Sequence, residues 1–392
     1  MTTNFATPKT SASHKGLEPT AGRSVPGIRA PLPGHSPDGT VDVVLIGHTG
    51  QVGGAVLERL GDVRDPAGRP MLALRESINR REHVIGTERG LDVRSRAPGT
   101  LAELARRLAG RGRPAVVVDC SADPDLPALY PDWLRAGIGV VTPNKFGFAG
   151  NRALYDRIQS AARSGRAPLG YAATVGAGLP VLATLRRLRA SGRAPTKITA
   201  VVSGTLVQVF GRMHDGALLS EAVAAARDAG CTEPDPLDDL SGKDVARKLR
   251  ILLREAGQAA EDAEPVIDRE PVVEDRWAQE IRGRLDVIEA LQRQDARWAA
   301  RLTAAEQNRQ RWIYRAFAEP GRAQVGPATV AADDPFGRLD GSDNRLVLDG
   351  IGNGATRVVI EGPGAGIEVT ATSVLSDLAE AAASQLLRLA VA

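Results

Sequence analysis

The charged side chains gather most densely between Cys231 and Lys248, where Glu233, Asp235, Asp238, Asp239, Asp244 and Lys248 lie beside Pro234 and Pro236. Carboxylates grouped near a lysine can grip the ammonium of an amino-acid substrate, while the lysine gives a proton or a hydrogen bond to a carbonyl that receives hydride. From Ser241 or Gly242 onward the segment has helical periodicity, with Val245, Leu249 and Leu252 as its core stripe. That spacing puts Asp244 and Lys248 one turn apart on a neighbouring face. An ordinary surface ion pair below an acidic helix N-terminus has the same spacing, so the residues alone leave both readings open.

A second constellation is Gly47-His48-Thr49-Gly50-Gln51-Val52-Gly53, with Gly54 after it. It follows the β-branched run VDVVLIG and opens a segment in which Val52, Val56, Leu57 and Leu60 recur at helical spacing. Glycines at a strand-to-helix turn let the backbone approach a pyrophosphate, whose charge the free N–H groups and the helix dipole then meet. The spacing is GxxGxxG rather than GxGxxG, and a purely structural turn is the plain alternative. Cofactor choice is read at the end of the second strand, in Leu74-Arg75-Glu76-Ser77. Arg75, with Arg80 and Arg81, favours NADP over NAD, although a solvated basic loop has the same composition.

These groups need elements to position them. Strands in PMLAL, AVVVDC and GVVTP alternate with helices in LAELARRLAG and LYPDWLRAG. Such alternation implies an α/β fold, a Rossmann-type doubly wound parallel sheet, over residues 41–150. A helix at 151–164 leads into a separate α+β unit reaching residue 362. Its expected strands are ITAVVSGTLVQVF, RWIYRAFAE, RAQVGPATVA and RLVLDG, around helices at 219–229 and 242–256. Residues 275–310 should form one or two exposed helices with Trp277 and Trp298 as anchors. A terminal amphipathic helix, with Val374, Leu375, Leu378 and Ala382 on one face, completes the first unit from residue 363. Residues 1–40 are rich in Pro, Gly, Ser and Thr and read as a disordered extension.

The 392 residues carry a net charge of +3, with basic residues spread along the chain, so no footprint for nucleic acid or a membrane surface stands out. Cys120 and Cys231 show no metal-binding spacing, and no apolar run is long enough to span a bilayer. A soluble cytoplasmic enzyme acting on a small molecule is the expectation.

TEPDPLDDLSGKDVARKL resembles the substrate-binding signature of homoserine dehydrogenases, particularly those fused to aspartate kinases. VVTPNK, ATVGAGLPV, SGTL, DDPF and GPGAGIEVTA match in the same order, and together they cover almost everything after residue 40. The resemblance implies interconversion of aspartate β-semialdehyde and homoserine, an inserted domain that binds substrate and dimerises, and a homodimer. Lys145 and Lys248 match the family's two active-site lysines, with Lys248 the expected acid/base. Glu233 and Asp244 would hold the amino-acid substrate, Thr205 would donate from the SGTL turn, and Asp239 would orient this shell. The cofactor would also touch Ser121 and the Gly364-Ala365-Gly366 turn. A monovalent cation, Na or K, would lie on main-chain carbonyls near Val175, Ala177 and Leu179.

Departures from the family pattern sit around the same site. Ala172 stands where an acidic residue is usual, Cys231 where the nearest relatives carry tyrosine, and Val207-Gln208 where a small polar residue and a tyrosine are typical. These changes are what a reductase for another amino-acid aldehyde or ketone would show, and they stand as the alternative to homoserine dehydrogenase activity. A catalytically silent sensor is the other, but a mere binder needs no paired lysines. His48 reads as a loop residue and Cys231 as a packing one.

Overall fold

The computed structural model describes residues 39–391, except 88–89, 98, 234, 259–265, 284–285 and 353–355. The expected N-terminal extension, 1–40, thus lies almost wholly outside the described residues. The first unit runs β1 (Val41–Ile46), α1 (Gln51–Arg59), β2 (Leu72–Ile78), β3 (Glu82–Thr87), β4 (Gly90–Ser95), α2 (Leu104–Ala109) and β5 (Ala115–Asp119). It continues through α3 (Tyr130–Arg135), β6 (Gly139–Val141), α4 (Phe146–Ala149), α5 (Arg152–Ser164) and β7 (Leu169–Gly170). The seven-stranded sheet has the order β4-β3-β2-β1-β5-β6-β7. β2, β1, β5, β6 and β7 are parallel, as expected of an apolar sheet covered on both faces. β3 and β4 pair antiparallel at its edge, a hairpin the strand-helix alternation did not foretell.

The second unit comprises α6 (Val181–Ala190), β8 (Lys197–Val201), α7 (Gly204–His214), α8 (Leu219–Asp228), α9 (Pro236–Leu240), α10 (Lys243–Ala256) and β9 (Ile267–Arg269). After these come α11 (Asp275–Ile281), α12 (Val287–Gln307), β10 (Gln310–Glu319), β11 (Arg322–Ala331), β12 (Asp343–Ile351) and β13 (Thr356–Pro363). Its six-stranded sheet has the order β13-β12-β8-β10-β11-β9. α13 (Ile367–Val391) then returns to the first sheet. There it buries Ala371, Val374, Leu378 and Ala382 completely in one cluster with Val41, Val43 and Leu45. Each such aliphatic side chain larger than alanine contributes about 1.5–3 kcal/mol of burial, so the helix is bound firmly.

Two expectations need correction. The boundary at residue 150 falls too early, because β7 adds to the first sheet beside β6 and α5 packs on α3. ITAVVSGTLVQVF is not one strand: the chain leaves β8 at Val201, and Ser203 caps α7 by accepting from the Leu206 N–H. The 275–310 helices are anchored at Trp298 as expected: it is fully buried and donates to the Val272 carbonyl. No helix among the described residues is long and apolar enough to cross a membrane.

Candidate active site

The parallel strands deliver three loops to one edge. The turn after β1 begins at Gly47, whose φ of +85° is left-handed and whose missing Cβ would stand 3.0 Å from the Cys120 backbone. Ser121 follows on the loop after β5, its N–H held by Asp119 at 2.8 Å. Gly50 caps α1 without a side-chain hydrogen bond, which leaves the first-turn N–H groups of Gln51, Val52 and Gly53 for a ligand. A Cβ at Gly53 would lie 2.1 Å from the Gly47 carbonyl oxygen, so the turn can close only around glycine. Thr49, Gly50 and Gln51 face outward, whereas His48 is 3% exposed with neither ring nitrogen paired. Burial lowers the His48 pKa, with Glu82 and the Ile78 carbonyl partly offsetting it, so this imidazole is neutral.

Arg75 does not lie where cofactor choice is read. β2 runs on to Ile78, and between the pairs Val43–Leu74 and Val44–Glu76 the register slips by one, leaving Arg75 in a mid-strand bulge. The acidic neighbour is equally removed: Glu76 is fully buried and bound by His83, Arg107 and Arg111. Desolvation pushes its carboxyl up, but these partners outweigh it and hold the group down at about 2. The strand edge instead presents Asn79, whose side-chain oxygen accepts from Arg81 N and Glu82 N at 2.7 Å each, with Arg80 and Arg81 exposed on the turn.

The third loop, after β6, carries Thr142, Asn144 and Lys145. Thr142 donates to the Asp119 carbonyl at 2.7 Å, and Asn144 donates to the Asp119 carboxylate at 3.2 Å and the Asp123 carbonyl at 2.9 Å. Tyr130 donates to Asp119 from the buried side. Sequence reasoning quoted Asn144 only as part of a motif, and Asp119 and Tyr130 not at all as site residues. Their signal is three polar groups set in apolar runs, where each must find a partner.

Lys145 meets the second unit here. Asp244, in the first turn of α10, takes Lys145 Nζ at 3.3 Å on one oxygen and Lys248 Nζ at 2.9 Å on the other. Lys248 also donates to the Val202 carbonyl at 2.6 Å. Desolvation raises the Asp244 carboxyl, yet the two ammonium groups prevail and hold it well below the ordinary range. Asp244 therefore joins the two lysines through one carboxylate. Thr205 sits in the first turn of α7, and its hydroxyl donates to the Cys231 carbonyl at 2.6 Å. Asp239 accepts from Glu233 N at 2.8 Å, and burial, aided by the charges of Glu233 and Asp244, pushes it up to about 6. The Glu233 side chain stays exposed.

Around Val175, Ala177 and Leu179 the backbone turns sharply, with φ of +76° at Gly176 and +46° at Ala177. A carboxylate does reach this loop, but from α13: Asp377 accepts from Ala172 N at 2.8 Å and leaves no room for a Cβ at Gly170. A Cβ at Gly204 would meet Ala365 at 3.3 Å, which brings the 364–366 turn to the start of α7.

A family model for the homoserine dehydrogenase NAD-binding domain matches residues 49–171, and one for homoserine dehydrogenase matches residues 180–379. The chain belongs to the homoserine dehydrogenase family. A homoserine dehydrogenase from Emericella nidulans is 37% identical over 285 residues, 70% of this chain and 77% of that one. A chloroplastic bifunctional aspartokinase/homoserine dehydrogenase from Zea mays is 34% identical over 86% of this chain, which spans 38% of its length. Among solved structures, a Candida auris protein of unknown function is 28% identical with a TM-score of 0.76, over 88% of this chain and 98% of that one. A hyperthermophilic archaeal homoserine dehydrogenase in complex with NADPH is 24% identical, with a TM-score of 0.66 over 87% of this chain and 97% of that one, and shares the fold. Homoserine dehydrogenases are NAD(P)-dependent oxidoreductases, and this member's NAD-binding domain is the parallel sheet that carries Gly47, Ser121 and Lys145.

Proposed function

We propose that this chain interconverts aspartate β-semialdehyde and homoserine with NADP(H). The observation that carries the reading is the meeting of Lys145, from the NAD-binding domain, with Lys248, from the second unit, across the single carboxylate of Asp244. The glycine cradle, Ser121 and the Gly364-Ala365-Gly366 turn fit a dinucleotide. A nicotinamide held there supplies hydride to the aldehyde carbon or takes it from the alcohol.

An ammonium has three N–H donors. Lys248 spends one on Asp244 and one on the Val202 carbonyl, so the third is left, already oriented, for the substrate oxygen. It gives that oxygen a proton during reduction and takes it back during oxidation. Lys145, anchored by one contact to Asp244, has donors left for the substrate carboxylate. Glu233 and Asp239 face the substrate ammonium, with Thr205 holding the Cys231 carbonyl two residues before Glu233. The carbonyls of Val175, Ala177 and Leu179 would hold a monovalent cation, charge-balanced by Asp377 in place of a residue at 172. Burial of Glu76 away from any ribose, with Arg80 and Arg81 at the strand edge, favours NADP over NAD. The six-stranded sheet is the expected homodimer surface, and two free cysteines suit the cytoplasm.

The test is oxidation of NADPH and of NADH by the purified protein with aspartate β-semialdehyde. Turnover is expected with both, and kcat/KM should be higher for NADPH. No turnover with either overturns the reaction; equal or higher kcat/KM for NADH overturns the cofactor preference alone.

A further inference from the structure

The two lysines come from different units, and the distance between them is set by whatever fastens one unit to the other. α10 does this at its far end. Arg254, 2% exposed, reaches back into the first unit and donates to the Phe148 carbonyl at 2.6 Å and the Gly150 carbonyl at 2.8 Å. These are carbonyls at the C-terminal end of α4, which have no partner within so short a helix. Lys145 is the N-cap of that helix, and its own carbonyl accepts from Phe148 N at 3.0 Å and Ala149 N at 2.8 Å. One guanidinium fork therefore closes the single turn that Lys145 begins.

Neighbouring contacts hold the fork in place. The Arg254 guanidinium lies 4.8 Å from the Tyr155 ring centroid, and Phe148 stacks on Tyr171 at 3.9 Å. Beside it Glu255, also buried, accepts from the Tyr171 hydroxyl and from Arg186 Nε, the latter at 2.8 Å. Asp244 and Lys248 stand on the same α10 some six to ten residues earlier, about 9–15 Å along its axis. The helix thus carries the reactive groups near one end and the brace for their partner at the other.

We propose that Arg254 is a positioning residue: by clamping the α4 turn from α10 it sets the place of Lys145 relative to Asp244 and Lys248. The inference rests on the lysine pair being the reactive centre. Displacement of a reacting group by about 1 Å costs on the order of 100-fold in rate.

The experiment compares Arg254→Met, Arg254→Lys, Lys145→Met and the double variant Lys145→Met/Arg254→Met by steady-state kinetics and by NADPH fluorescence titration. Arg254→Met should lower kcat about 100-fold while the NADPH Kd stays within about twofold, and Arg254→Lys should recover part of the loss. The double variant should be no slower than Lys145→Met alone, because a residue that acts only through Lys145 has nothing left to position. The proposal is overturned if Arg254→Met keeps kcat within about threefold. It is equally overturned if its loss multiplies that of Lys145→Met, or if both Arg254 variants lose NADPH binding in step with activity. Lys145→Met at parental kcat would instead sink the proposed function.

Discussion

Asp244 decides how the charged cluster works, because it stands between two ammonium groups that would otherwise repel each other. Asp244→Asn keeps the shape and one acceptor oxygen but removes the charge, so both lysines lose their ion pair and one of them meets an amide donor in place of an acceptor. We expect kcat to fall on the order of 100-fold, with NADPH affinity unchanged, in stopped-flow and titration measurements. An effect confined to KM for the aldehyde would assign Asp244 to substrate binding alone. The residues needed for this centre were legible in the sequence: helical spacing placed Asp244 beside Lys248, and resemblance added Lys145. Their division of labour was not, since periodicity says nothing about contacts from another unit. The contact of Thr205 with the Cys231 carbonyl, 26 residues away, was not legible for the same reason.

At the scale of elements, the β1–α1 turn was read correctly because glycine spacing and periodicity agree there. The structure separates glycines that must be glycine from one that need not be. Gly53→Ala places a methyl against the Gly47 carbonyl at 2.1 Å, between two backbones that cannot part without opening the turn. NADPH affinity should drop at least tenfold, on the order of a lost phosphate contact set. Gly54→Ala meets only the His48 carbonyl at 3.6 Å, an ordinary contact, and should bind NADPH as the parent does while gaining about 0.5–1 kcal/mol of helix stability. Equal behaviour of the two variants in titration and thermal melting would refute this division. Elements were misread where local propensity and tertiary setting conflict. Thr205, Val207, Val209 and Phe210 favour a strand, yet the Ser203 cap and the burial of Leu206, Val209, Phe210 and Met213 on one face make that run helix α7. Arg75 was misplaced because a bulge cannot be seen in composition.

The whole molecule is held together where its last helix returns, and that joint carries a titratable group. Asp377 on α13 accepts from Ala172 N, against Gly170 of β7, so it ties the final element to the loop that leaves the first sheet. Burial pushes its carboxyl up from 3.8 to about 6, with the Ala172 N–H and Arg186 opposing and Glu380 assisting. The folded state therefore binds this proton more tightly than the unfolded chain. Its contribution to stability is fully present below about pH 4, declines as pH rises from about 4 to 6, and levels off above that. Glu76 acts in the opposite sense: held at about 2, it stabilises the fold above its unfolded value of 4.5, and that stabilisation is lost as pH falls from 4.5 toward 2. The two windows barely overlap, so they can be separated. Asp377→Asn keeps an oxygen to accept from Ala172 N and abolishes the titration. The Tm of the variant minus that of the parent should rise between pH 4 and pH 6 and stay constant above pH 7. Parallel Tm profiles through that window would show that Asp377 ionises in the folded protein as freely as in the unfolded chain, and that the returning helix is held by its apolar face alone.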